Sequence, residues 1–297
     1  MAVYKHSYRR YEGDLTARWQ RLLVLPRYAY RGVFQSRFFL IFFVICLIVP
    51  LGAALLIYLR HNIGALDLMN IPDDAILPIN ATFFEWVIQI QGSFAFLLTV
   101  FVGPGLVSPD LVNNALPLYL SRPFSRTEYV VGKMSVLMIL QSCVTWVPLC
   151  VLFLLQASLA EGNWISANTR ILVAILLGSA VWILLLSLLA MAISAWVRWK
   201  AIAGALMFGV FLVGAGFGET VSALFNTKWG SLFNISSMMQ VIWEWLFFGG
   251  ASETGETVNR LAAGQVPVWS ACLALVVIGL CCLFLLSRRI RAYEVVR

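Results

Sequence analysis

The chain has 297 residues, of which 61% are hydrophobic and only 12% charged. A soluble domain carries about 45–50% apolar and about 25% charged residues, so an ordinary water-soluble fold is excluded. The apolar excess sits in long blocks, the mark of an integral membrane protein. The net charge of +7 comes from 21 Lys and Arg against 14 Asp and Glu. Those basic residues gather at the ends of apolar blocks, as expected for retention on the cytoplasmic side, which speaks against a nucleic-acid partner.

Residues 1–37 read as a basic cytoplasmic N-terminus. Within 14–36, Leu15, Trp19, Leu22, Pro26, Tyr30 and Val33 share one helical face, while Arg18, Arg21, Arg27 and Arg31 lie largely elsewhere. This predicts an amphipathic helix on the inner leaflet, bent at Pro26. The first apolar block begins only at Phe38, behind eight basic residues, later than in a cleavable signal peptide.

Residues 38–297 read as one all-α transmembrane domain. Six blocks, 38–59, 83–106, 134–157, 171–197, 201–218 and 266–286, are long enough to cross about 30 Å of hydrocarbon. The loop between the first two carries Asp67, Asp73 and Asp74 and is placed outside. At the inner end of the second block, Gly103-Pro104-Gly105 is either a helix terminator or a hinge. Pro50, Pro104 and Pro148 are expected to interrupt their spans.

A polar connector, 108–133, follows. Ser108 is read as a helix cap and Pro109 as the first turn, with Asp110 favoured by the helix dipole. Ser125 and Glu128 have capping-box spacing and predict a second helix start. In the fifth block, Ala205/Gly209 and Gly214/Gly218 permit close helix approach, either within the chain or across a dimer face. Residues 229–248 are apolar but broken by Asn234, Ser236, Ser237, Gln240 and Glu244. They are read as an interfacial or re-entrant helix on the outer side, with Trp229, Trp243 and Trp245 at the interface.

Six spans place both termini in the cytoplasm. Of the 21 Lys and Arg, only Arg60, Arg170, Lys228 and Arg260 then fall outside; a seventh span would put the Arg-rich C-terminus outside, against the charge rule. The six Cys lie in apolar blocks and read as buried hydrophobes.

Recognisable catalytic chemistry is missing. Gly132-Lys133-Met134 lacks the glycines and the Ser or Thr of a phosphate loop. With only His6 and His61, no Ser/His/Asp set or metal centre is plausible, and no ionisable residue sits at a span centre. Glu85 and Glu219 are placed at outer span ends. Gln89, Gln91, Gln141, Ser142 and Thr145 are the polar groups that face an interior or a partner helix. Gln89, Gln91, Gln141 and Thr145 are candidates to line a cavity, against the plainer reading of interhelical hydrogen bonds.

Leu106-Val107-Ser108-Pro109-Asp110, then Ala115-Leu116-Pro117-Leu118-Tyr119-Leu120-Ser121-Arg122-Pro123, Ser125-Arg126 and Gly132-Lys133 resemble the cytoplasmic segment of type-2 ABC transporter permeases, the exporter-type membrane subunits. The layout of basic interfacial helix, six spans and outer helix is also similar to theirs. Many members show an acidic residue ahead of the leucine-rich run, where this chain has Asp110 and then Asn113-Asn114. The resemblance implies a coupling helix between spans 2 and 3 that docks on a separate ATPase subunit. Leu111, Leu116, Leu118 and Tyr119 would dock by apolar contact, and Asp110, Asn113, Arg122 and Arg126 by polar contact. ATP and Mg would sit on that partner, with no cofactor on this chain. A second permease chain, identical or related, would complete the transporter, and a bacterial inner membrane is the expected location. The other reading compatible with the layout is a membrane anchor or scaffold without transport.

Overall fold

The computed structural model describes residues 18–62, 78–113, 126–160, 162–249 and 266–289. Among them there is helix and no strand. The elements are α1 (Arg18–Phe34), α2 (Arg37–Arg60), α3 (Ala81–Val102), α4 (Pro104–Val112), α5 (Arg126–Val144), α6 (Trp146–Leu159), the short α7 (Trp164–Ala167), α8 (Thr169–Trp196) and α9 (Lys200–Phe225). A 3-10 turn, Lys228–Phe233, then leads to α10 (Ile235–Phe248) and α11 (Val268–Arg289). Six stretches are long and apolar enough to span a bilayer: Arg37–Arg60, Ala81–Asp110, Thr127–Leu159, Thr169–Trp196, Lys200–Phe225 and Val268–Arg289. This is a multi-pass membrane protein.

Burial sorts the six into two groups. In α3–α4, α5–α6 and α8, 56%, 56% and 61% of the most apolar window is buried within the protein; in α2, α9 and α11 it is 22%, 17% and 22%. The first group is the core, with α8 at its centre against α3, α4, α5, α10 and α11. The second group turns apolar side chains such as Ile41, Leu51, Leu212 and Val276 outward, where hydrocarbon makes their exposure favourable.

Capping explains several element starts. Ser36 Oγ accepts from Phe39 N–H (3.4 Å) at α2, and Asn80 Oδ1 accepts from Phe83 N–H (3.2 Å) at α3. Asn234 Oδ1 accepts from the N–H groups of Ser236 and Ser237 at α10. Such caps satisfy donors that the first turn leaves open.

Several sequence expectations need correction. The helix α1 runs unbroken through Pro26. Its face carrying Pro26, Tyr30 and Val33 packs onto the bundle, chiefly against α5; Leu15 lies outside the described residues. Pro50 sits inside an uninterrupted α2. The third span starts earlier than predicted and breaks at Thr145. The fifth continues to Phe225, ending at Asn226 in the left-handed conformation (φ 46°), so Glu219 falls inside the helix. Glu219 is polar but sits where the helix outruns the apolar block.

Residues 229–248 form no seventh span. At 14 residues, α10 is about 21 Å long, too short to cross. It is not a surface helix either, because Met238, Met239 and Trp243 are buried against α3, α8 and α11. The indole of Trp243, expected at an interface, wedges between two spans: a Cβ at Gly92 would stand 2.6 Å from it, and one at Gly178 2.7 Å. Trp229 and Trp245 are exposed. At the far end, the Arg170 guanidinium donates to the carbonyls of Trp245 and Leu246 (2.9 Å each), satisfying acceptors at the helix C-terminus. The small residues of α9 work within the chain: Gly214 packs under Phe233 O, and Gly218 and Gly230 lie backbone to backbone. Ala205 is exposed and Gly209 has open space beside it.

Candidate functional site

The polar groups concentrate at the bundle end where α3 passes into α4. Gly103 joins them in right-handed helical conformation (φ −53°, ψ −50°), its N–H bonded to Thr99 O (2.8 Å). A Cβ there would lie 2.8 Å from Ala190 Cβ of α8 and 2.7 Å from Thr99 O, so this junction admits only glycine without displacement. Pro104 follows at the first position of α4 and removes one N–H donor. The helix terminator expected at 103–105 is therefore corrected: the span runs on to Asp110.

Ser108 corrects the expectation of a helix start. It lies inside α4, as does Pro109, and it is fully buried. Its N–H donates to Ser194 Oγ of α8 (3.0 Å), whose hydroxyl in turn donates to Pro104 O (3.3 Å). A side chain from the central span thus bonds to two backbone groups one turn apart on α4. Ser108 Oγ donates to Val197 O (2.8 Å), tying α4 to the end of α8.

Asp110 is near the C-terminal end of α4, not its start, so the helix dipole disfavours its charge. Two side chains of α5 offset this. Lys133 Nζ approaches Asp110 Oδ2 at 3.0 Å, and the fully buried Tyr129 donates its hydroxyl to the same oxygen at 2.7 Å. The ion pair is mostly buried, with side-chain exposures of 11% and 15%. It closes the base of the connector, joining the last turn before it to the helix after it. Asn113 is the exposed C-cap of α4. Leu111 is helical and Arg126 opens α5, with Glu128 in its first turn as the capping-box spacing required. Leu116, Leu118, Tyr119, Arg122 and Ser125 lie outside the described residues.

The cavity candidates separate. Gln91 and Gln141 are fully buried and Thr145 nearly so. Gln91 Nε2 donates to Cys46 O of α2 (3.0 Å), Gln141 Nε2 to Thr99 Oγ1 of α3, and Thr145 Oγ1 to Gln141 O (2.9 Å). Gln91 and Gln141 join spans, whereas Thr145 bonds within its own span. Gln89 donates to Glu85 Oε1 (3.1 Å) and lines a small cavity with Trp86, Trp182 and Gln240.

Sequence reasoning missed Ser194, Tyr129 and the pairing role of Lys133. Lys133 was visible only as part of a Gly-Lys dipeptide. A serine in an apolar run and a tyrosine in a polar one carry no signal of their partners, because the pairing spans 86 residues in one case and 19 in the other. No family model matches the chain, and no curated protein matches it significantly.

Proposed function

We propose that this chain is the membrane-spanning permease subunit of an ATP-driven exporter, moved by a separate ATPase subunit that grips the connector between its second and third spans. The observation that carries the reading is the Asp110–Lys133–Tyr129 clamp at the end of α4. A loop that only turned the chain round would not need it. A clamped base passes a push on residues 111–125 into α4 and α5 together. Ser108 ties α4 to the end of α8, so the push reaches the central span as well. That is rigid-body gating of packed helices, the usual basis of alternating access.

In this reading Leu111, Leu116, Leu118 and Tyr119 dock on the ATPase, while Asn113, Arg122 and Arg126 set orientation. Asp110 acts inside the chain, holding the connector's shape. ATP and Mg belong to the partner. A second permease chain and a bacterial inner membrane, with both termini cytoplasmic, complete the proposal.

The test is co-purification with candidate ATPase subunits expressed together with this chain. Leu116→Asp with Tyr119→Asp is expected to abolish its capture and nucleotide-driven transport together. Undiminished capture with full transport would defeat the reading. Capture of another protein, with no ATPase responding to reconstitution, would favour the scaffold instead.

A further inference from the structure

One cavity lies apart from the connector. It is a groove of about 470 Å³ between α1, α2 and the α3–α4 junction, within the about 300–1,000 Å³ typical of small-molecule sites. Its walls are apolar: Val33, Phe39, Phe42, Phe101 and Leu106 all contribute. Phe101 packs edge-on against Phe38 (5.1 Å between centroids) and Phe42 (5.7 Å). Two ammonium groups reach the same groove, Lys133 and Lys200.

The two lysines differ. Lys133 is neutralised by Asp110. Lys200 is exposed and has no carboxylate within ion-pair distance among the described residues. It is also the first residue of α9, whose N-terminus has no side-chain cap. A cation there opposes the helix dipole, so its charge and the open N–H groups of that turn call for the same thing, an anion. Arg27, Arg31, Arg37 and Arg198 are exposed on the neighbouring helix ends. The described acidic residues at this end are Asp110, already paired, and Glu128.

We propose that the groove holds one anionic membrane lipid, its acyl chain against the phenylalanines and its phosphate at Lys200. The apolar walls are what distinguish a lipid from a free anion, which would leave them wet. Position agrees, since the groove sits where α2 and α9 begin, the headgroup level of a bilayer spanned by these helices. The lipid would join α1 to the α3–α4 junction, because Lys200 Cε also packs over Gly105, 3.3 Å from where its Cβ would be. The site requires only that the six helices cross a membrane, not that an ATPase drives them.

Native mass spectrometry of the full chain, purified in detergent and given equimolar phosphatidylglycerol and phosphatidylcholine, tests this. The wild type is expected to retain one phosphatidylglycerol in preference. Lys200→Gln should lower that preference about fivefold, the worth of one lysine at an anionic surface. Gly32 lines the groove and has open space beside it, so Gly32→Trp should fill the groove and reduce retention of both lipids. Gly52→Trp, on the exposed face of α2 with equal room, should retain them as the wild type does. Equal retention of the two lipids by the wild type would overturn the proposal. So would an unchanged preference in Lys200→Gln, a result that stands even if Gly32→Trp fails to fold. Stronger lipid retention after removal of residues 1–17 would name that segment as the occupant and also overturn it.

Discussion

Asp110 shows how one side chain changes meaning between sequence and structure. As a residue following Ser-Pro, it reads as a helix-start carboxylate; in the fold it is the acceptor for an ammonium and a phenol on the next helix. Removing one member of a buried pair strands the other, at a cost of about 3–5 kcal/mol when burial is complete. The small residual exposure of this pair places it somewhat below that. Asp110→Asn and Lys133→Met should each lower the melting temperature in detergent, while the double variant should lose less than the two singles combined. Strict additivity would show that the pair contributes no coupling. The plainer of two readings offered for the buried glutamines was also the structural one at Gln91 and Gln141. Their amides face a partner helix, because a polar group in an apolar bundle is least costly where it finds another.

At the scale of elements, the junction between α3 and α4 is the feature with most consequence. Gly-Pro-Gly marked it beforehand, since proline removes a donor and glycine weakens a helix. Its tie to the central span was not legible: Ser194, 86 residues from Ser108, accepts from its N–H. Gly103→Ala should force α3 from α8 and cost about 1–3 kcal/mol as overpacking. Ser194→Ala should remove the hydroxyl that ties α4 to α8, at about 1–3 kcal/mol. Thermal melts of both variants, with hydrogen exchange across 104–112, distinguish these outcomes; wild-type melting and exchange in both would show the junction to be unimportant. The helix α10 teaches a parallel lesson. Its length and polar breaks excluded a crossing, yet its insertion between spans depended on two glycines, at 92 and 178, that nothing in its own sequence could announce.

For the whole molecule, the division into a buried core of three spans and a lipid-facing set of three is testable by chemistry. Cys46 and Cys282 are buried, whereas Cys272 and Cys281 are exposed on α11. An apolar, detergent-soluble maleimide should therefore reach Cys272 and Cys281 on the lipid-facing helix before Cys46 and Cys282, which it should modify only on unfolding, read by mass spectrometry of the digested chain. Rapid labelling of Cys46 would contradict the packing of α2 on the core. The number of spans, their order and their approximate limits follow from the sequence alone, because about 20 apolar residues in a row have one stable arrangement in a bilayer and charged residues mark where each ends. Which spans lie inside, which serine bonds to which helix and which lysine is left unpaired were decided only by tertiary structure. Apart from the few glutamines of the second and third blocks, the six are apolar all round, so no periodicity distinguishes a face that meets protein from one that meets lipid.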